Sequence, residues 1–142
     1  MPLENFGSIL NFAEELESQD QEFYQALAGN PACSDHKQIF EQFAADAKKN
    51  LKTVQRTRRE NVTEMILEPI KDFVRAPYCE VCQAAPSMTV EDALATAKRL
   101  EDRAVRYYTE AATKIKALPE VARALKLLSK KHNGHREKLA TL

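Results

Sequence analysis

What this chain has little of narrows it first. Three glycines and no tryptophan, beside plentiful Ala, Leu, Glu, Lys and Gln, argue against a sheet fold and for an all-helical one. Lys+Arg and Asp+Glu both total 21, and without a net charge there is no general attraction for a polyanion. Three cysteines are an odd number and no disulfide scaffold, so they predict a reducing, cytoplasmic setting. The opening "MPLENFGSIL" has neither a basic segment nor a long apolar run, which reads as no signal peptide. Nothing approaches the ~18 apolar residues of a membrane span, so no membrane partner is expected.

At 142 residues the chain is expected to be one domain, 1–142, able to bury a core. Apolar residues at three-to-four spacing (Ile9, Phe12, Ala13, Leu16, Phe23, Tyr24, Leu27) predict a first helix from Ser8 to Ala28, stopped by "GNP". A second helix, with Ser34 as N-cap, carries Ile39, Phe40, Phe43, Ala44, Ala47, Leu51 and Val54 and dissolves near "RTRREN". Pro69, Pro77 and Pro86 punctuate residues 62–88, where the pattern breaks. Thr89 and Asp92 make a capping-box-like start for a third helix lasting to about Ala117, and Pro119 suits the first turn of a fourth. Short links make antiparallel neighbours, and the long one can travel the length of the bundle. The expected fold is therefore all-α, an antiparallel four-helix bundle with one long crossover between helices 2 and 3. Glu4, Glu14, Glu15, Glu17, Asp20 and Glu22 fall in a stretch without a base, while 48–59 and 123–138 are mostly basic. An acidic helix beside basic ones explains this.

The chain repeats itself. Shifted by 84 residues, Ala13 meets Ala97, Leu16 meets Leu100, Glu17 meets Glu101, Tyr24 meets Tyr108 and Ala28 meets Ala112. A shift of 85 brings Phe40 to Leu125, Phe43 to Leu128 and Ala44 to Ser129, so the bundle reads as two related hairpins. Glu17 and Glu101 each lie beside an apolar leucine and are each followed, two helical turns on, by a tyrosine. A carboxylate so placed needs a partner, because burying it alone is costly. His132 and His135, two of the three histidines, stand one turn apart in "SKKHNGHREKL".

These features, "ELESQDQEFY" and "RLEDRAVRYY" on the odd helices of a crossover bundle, resemble the ferritin-like rubrerythrin family over nearly the whole chain. In that family each odd helix gives a glutamate and each even helix a Glu-x-x-His pair, together holding two irons. The resemblance implies Glu17 and Glu101 as ligands. In "FAADAKKN", Ala47 stands where the family has its glutamate and Asn50 where it has its histidine. In "LSKKHNGH", His132 replaces the glutamate and His135 keeps the histidine. What remains is Glu17, Glu101, His132 and His135, a set suited to one Fe(II), Zn(II), Mn(II) or Ni(II). Three readings stay open: a mononuclear iron or other divalent metal, a paired polar cluster without metal, and a full di-metal centre. Tyr24 and Tyr108 are core residues with satisfied hydroxyls, redox-active groups, or hydrogen-bond donors behind the ligands.

The "PYCEVCQ" segment holds a CxxC, Cys79 and Cys82, and "ACSDH" a Cys-x-x-His, Cys33 and His36. A rubredoxin or zinc ribbon needs a second knuckle, which the sequence does not contain. A crossover ending at the pole of the first interhelical link would bring the four residues together as a Cys3His zinc site. A zinc shared by two subunits, a redox dithiol and plain reduced thiols are the alternatives. The functions implied are a rubrerythrin-like, peroxide- or oxygen-linked oxidoreductase with an altered metal site, or a non-catalytic ferritin-like module for metal binding, sensing or protein interaction. A homodimer is expected from the resemblance. DNA binding through "KKNLKTVQRTRRE" is disfavoured, since no aromatic residues interleave with the charges.

Overall fold

The computed structural model describes residues 6–60, 73, 78, 88–115 and 118–142. Helix α1 spans Phe6–Ala28, a 3-10 turn Pro31–His36, α2 Lys37–Glu60, α3 Val90–Lys114 and α4 Pro119–Ala140. The pairs α1–α2 and α3–α4 pack most extensively, as the short links require. Arg58 near the end of α2 reaches Glu14 early in α1 at 3.0 Å, and Ser129 of α4 meets Thr109 of α3 at 2.9 Å. Both hairpins are therefore antiparallel, and the first contact joins the acidic helix to a basic one.

Helices α1 and α3 also run antiparallel. The Tyr107 hydroxyl donates to the Ile9 carbonyl at 2.6 Å, while at the other end Asn30 donates to the Met88 carbonyl at 2.9 Å. Helix α2 thus ends at the pole where α1 begins, and α3 begins at the pole where α1 ends. This is the all-α bundle with a crossover between its second and third helices that the link lengths predict. Of the residues between, Phe73 and Tyr78 are described, and both pack against Tyr107 with ring centroids 5.7 and 5.2 Å away.

Three helix ends differ from expectation. Ser34 is exposed and does not cap α2. The capping falls to Asn30, whose side chain accepts from the Ala32 N–H at 2.9 Å and so opens the 3-10 turn, with Pro31 at its first position. Helix α1 begins at Phe6 rather than Ser8. Helix α3 stops at Lys114 rather than Ala117, because Ile115 leaves helical geometry (φ −105°, ψ 59°) and buries its side chain. Thr89 caps α3 as expected, accepting from the Asp92 N–H at 3.2 Å.

The core has two apolar ends with a polar layer between them. One end gathers Ile9, Leu16, Val54, Ala104, Tyr107 and Leu125. The other gathers Phe23, Leu27, Phe40, Ala97, Leu100 and Leu139. Between them Glu17, Asp20, Asn50, Glu101, Arg103, His132 and His135 are all buried.

Gly134 is exposed in the middle of α4, and a Cβ built on it meets nothing within 4 Å. Gly134→Ala is accordingly expected to raise stability by ~1 kcal/mol through helix propensity alone, measured by chemical denaturation.

Candidate metal centre

Each half of the repeat supplies its partner's donors. Tyr24 of α1 donates to Glu101 Oε1 at 2.7 Å, and Tyr108 of α3 donates to Glu17 Oε2 at 2.5 Å. Positions 50 and 135, equivalent in the repeat, behave alike. Asn50 Nδ2 donates to Glu17 Oε1 at 3.3 Å, and His135 Nδ1 lies 3.1 Å from Glu101 Oε1. The symmetry fails only at the next position up. Ala47 contributes a methyl group, whereas His132 fills the middle of the layer, with Nδ1 2.6 Å from Glu101 Oε2 and Nε2 2.8 Å from Glu17 Oε2.

Aromatic neighbours hold both imidazoles. Phe43 stacks on His135 with centroids 3.9 Å apart and planes 14° from parallel. Tyr108 lies 5.6 Å from His132, its plane at 19°. The outer nitrogen of His135 is anchored too, with Nε2 2.8 Å from Asp46 Oδ2.

Charge in this layer is set by pairing against burial. Burial alone pulls His132 down, but the charges of Glu17 and Glu101 and hydrogen bonds to both outweigh it, and His132 sits well above the usual histidine range. His135 is raised for the same balance of reasons, with Glu101 and Asp46 outweighing burial. Burial pushes Glu101 up, yet His132 and His135 together hold it down at about 2. Tyr108 is raised well above 10 by burial and by Glu17, so it donates as a neutral phenol.

A further buried pair adjoins the layer. Arg103 Nη2 reaches Asp20 Oδ1 and Gln19 Oε1, both at 3.0 Å, and Nη1 reaches the Tyr78 carbonyl at 3.0 Å. Asp20 Oδ2 and Arg103 Nε find no partner among the described residues. Burial first, then Glu101 and Glu17, push Asp20 up to about 8 despite the adjacent guanidinium.

Two sets of ligand atoms lie within 4.8 Å of one another: Glu101, His132 and His135, and Glu17, Asp20 and His132. The first fits a single transition metal. Both Nδ1 atoms converge on the two oxygens of one carboxylate, and both Nε2 atoms are engaged by separate carboxylates, the arrangement that orients metal-bound imidazoles. The second set has one nitrogen, already shared with the first, and Ala47 and Asn50 add no imidazole on that side. Two irons with balanced donors do not fit.

Among the other expected residues, Cys33 is buried and His36 packs edge-on to Phe40, with centroids 6.3 Å apart. Burial raises the Cys33 thiol. Neither belongs to a ligand cluster formed by the described residues alone. Cys79 and Cys82 lie outside the described residues. Tyr78 belongs to the apolar end opposite Cys33. Sequence reasoning passed over Asp20, Asp46 and Arg103. The available signal for Asp20 was its spacing of three from Glu17, which sets both on one helix face.

A four-helix bundle that turns carboxylates and imidazoles inward from facing helices is an architecture in which metal sites can be built from core side chains. Residues 7–139 match the family of ferritin-like domains, and the chain belongs to that family. No curated protein and no solved structure matches it. No helix among the described residues is long and apolar enough to cross a membrane.

Proposed function

We propose that this chain is a rubrerythrin-type member of the ferritin-like family whose altered core holds one divalent transition metal, iron foremost, at Glu101, His132 and His135. The supporting observation is the convergence of His132 Nδ1 and His135 Nδ1 on Glu101, at 2.6 and 3.1 Å, while Glu17 and Asp46 hold the two Nε2 atoms. Bound there with open positions, iron would supply one-electron chemistry toward peroxide or dioxygen. Glu17 and Asp46 accept hydrogen bonds from the two Nε2–H groups and so fix each imidazole with Nδ1 inward. Tyr24 donates to Glu101 Oε1 and limits how that carboxylate turns. The apolar ends above and below keep bulk water from the layer.

A second reading rests on His132 itself. An imidazolium donating to Glu17 Oε2 and Glu101 Oε2 at once closes the layer without metal, which suits a non-catalytic ferritin-like module for sensing or protein interaction. Elemental analysis of protein from iron-supplemented culture, beside a His132→Ala/His135→Ala variant, separates the two. The metal reading expects about one ion per chain, lost in the variant, together with peroxide-dependent turnover. Absence of metal from both proteins, after reloading with Fe(II), Mn(II) and Zn(II), would establish the second reading.

A further inference from the structure

The layer is not sealed on every side. Between α2 and α4, directly outside His135, lies a cavity of about 340 Å3 lined by Asp46, Lys49, Asn50, Lys131, Gly134, His135 and Lys138. Its buried walls are Asn50 and His135, and its exposed rim carries the three lysines. This volume is at the low end for small-molecule sites, which span roughly 300–1,000 Å3.

Three observations give this cavity a chemical preference. Lys49, Lys131 and Lys138 have no ion pair or hydrogen bond through their ammonium groups among the described residues. The single carboxylate in the lining, Asp46, has both oxygens occupied, Oδ1 by Gln42 Nε2 and Oδ2 by His135 Nε2, each at 2.8 Å. The cavity therefore offers uncommitted positive charge at its mouth. Asn50, a lining residue, is 1% exposed, and its Oδ1 accepts no hydrogen bond among the described residues. A buried amide oxygen without a donor is costly, so a ligand or water that brings an O–H is favoured there. Gly134 keeps the rim open, since any side chain at that position would enter the free space in front of it.

We propose that this cavity is a binding subsite for a small organic oxyanion that carries its own hydroxyl group, of which a 2-hydroxycarboxylate is the simplest member. The lysines attract the carboxylate, and the hydroxyl satisfies Asn50 Oδ1. The subsite abuts His135, so an occupant lies beside the proposed metal ligands. The proposal deepens the metal-site reading and rests on it for its chemical purpose, whereas binding of the anion requires only the cavity.

The test titrates glycolate and acetate into metal-free and metal-loaded protein by calorimetry at fixed ionic strength. Glycolate is expected to bind metal-free protein saturably, and about three- to tenfold more tightly than acetate, the difference one hydrogen bond makes. A Lys49→Ala/Lys131→Ala/Lys138→Ala variant should lose about tenfold or more for both anions. Gly134→Leu, which projects into the cavity from an exposed helix position, should abolish binding while leaving the melting temperature at or above the parent value. Equal affinity for the two anions, indifference to the lysines, or no saturable binding would each overturn the proposal. Because the metal-free arm carries the decision, a protein that never takes up metal can still bind glycolate. Conversely, a protein that takes up metal and ignores glycolate refutes the subsite alone.

Discussion

Between about pH 5.5 and 6.5 the affinity for a divalent metal is expected to rise roughly a hundredfold per pH unit. A metal needs the Nδ1 lone pairs of His132 and His135, and both rings are raised above the ordinary histidine value of 6.5. Each therefore carries its second proton throughout that range, and each must release it before it can bind. Glu101, held at about 2, is ionised already and adds no further proton. A divalent cation that displaces two protons leaves the charge of the buried layer unchanged, which is why the exchange is feasible in so dry a setting. The slope should flatten above pH 6.5 as first His135 and then His132, the more strongly raised ring, titrates. Competition against a chromophoric chelator at several pH values gives the slope. Calorimetry in two buffers of different ionisation enthalpy gives the proton count directly. Release of no proton would remove both histidines from the ligand set.

The metal-free protein should show the opposite trend. Stability drawn from a raised histidine is complete below its unfolded value, about 6.5, and is lost as pH climbs through the folded one. Asp20 acts in the same direction, since a folded value of about 8 against 3.8 unfolded costs stability progressively across that interval. Glu101 works the other way, its contribution present above 4.5 and lost as pH falls towards 2. Thermal melts without metal should therefore peak in mildly acidic buffer and decline towards pH 8, while saturating metal reverses the decline.

Much of this layer was readable in the sequence because the repeat is intact where it matters. A glutamate beside a core leucine with a tyrosine seven residues on occurs twice, and those four residues are the carboxylates and phenols that pair across α1 and α3. Ala47 and Asn50 are visible as departures because the family the chain resembles has a glutamate and a histidine at those positions. The remainder depends on tertiary contacts for which the sequence carries at most the weak signal of a shared helix face. Asp20 is one acid among many in α1, and only the fold reveals that it faces Arg103 rather than water. Asp46 gains its role from the Nε2 of a ring held by Phe43, a matter of rotamer and stacking. The "GNP" segment reads as a stop for the first helix, which does end at Ala28, and its asparagine also caps the 3-10 turn that follows.

Asp20→Leu is expected to destabilise the fold by about 1–3 kcal/mol at pH 6, where Asp20 keeps its proton, the cost of taking a hydrogen-bond acceptor from a buried guanidinium. Arg103 is 1% exposed and cannot shed its proton, so removing Asp20 leaves a buried cation with only Gln19 and the Tyr78 carbonyl as acceptors among the described residues. The pair itself is poorly satisfied, with Asp20 Oδ2 and Arg103 Nε both unpartnered among the described residues, and much of the desolvation cost stays unrecovered. Two consequences separate the partners. Arg103→Met should cost less than Asp20→Leu at pH 6, because an aspartate already pushed up to about 8 can keep its proton and remain neutral. The double variant Asp20→Leu/Arg103→Met should recover most of the loss, since an apolar pair of similar volume needs no desolvation. Urea denaturation of the four proteins at pH 6 measures the cycle. Additive losses in the double variant would mean that the two side chains stabilise the bundle independently, through Gln19 and the Tyr78 carbonyl on one side and the acidic layer on the other, and that their contact at 3.0 Å carries little coupling.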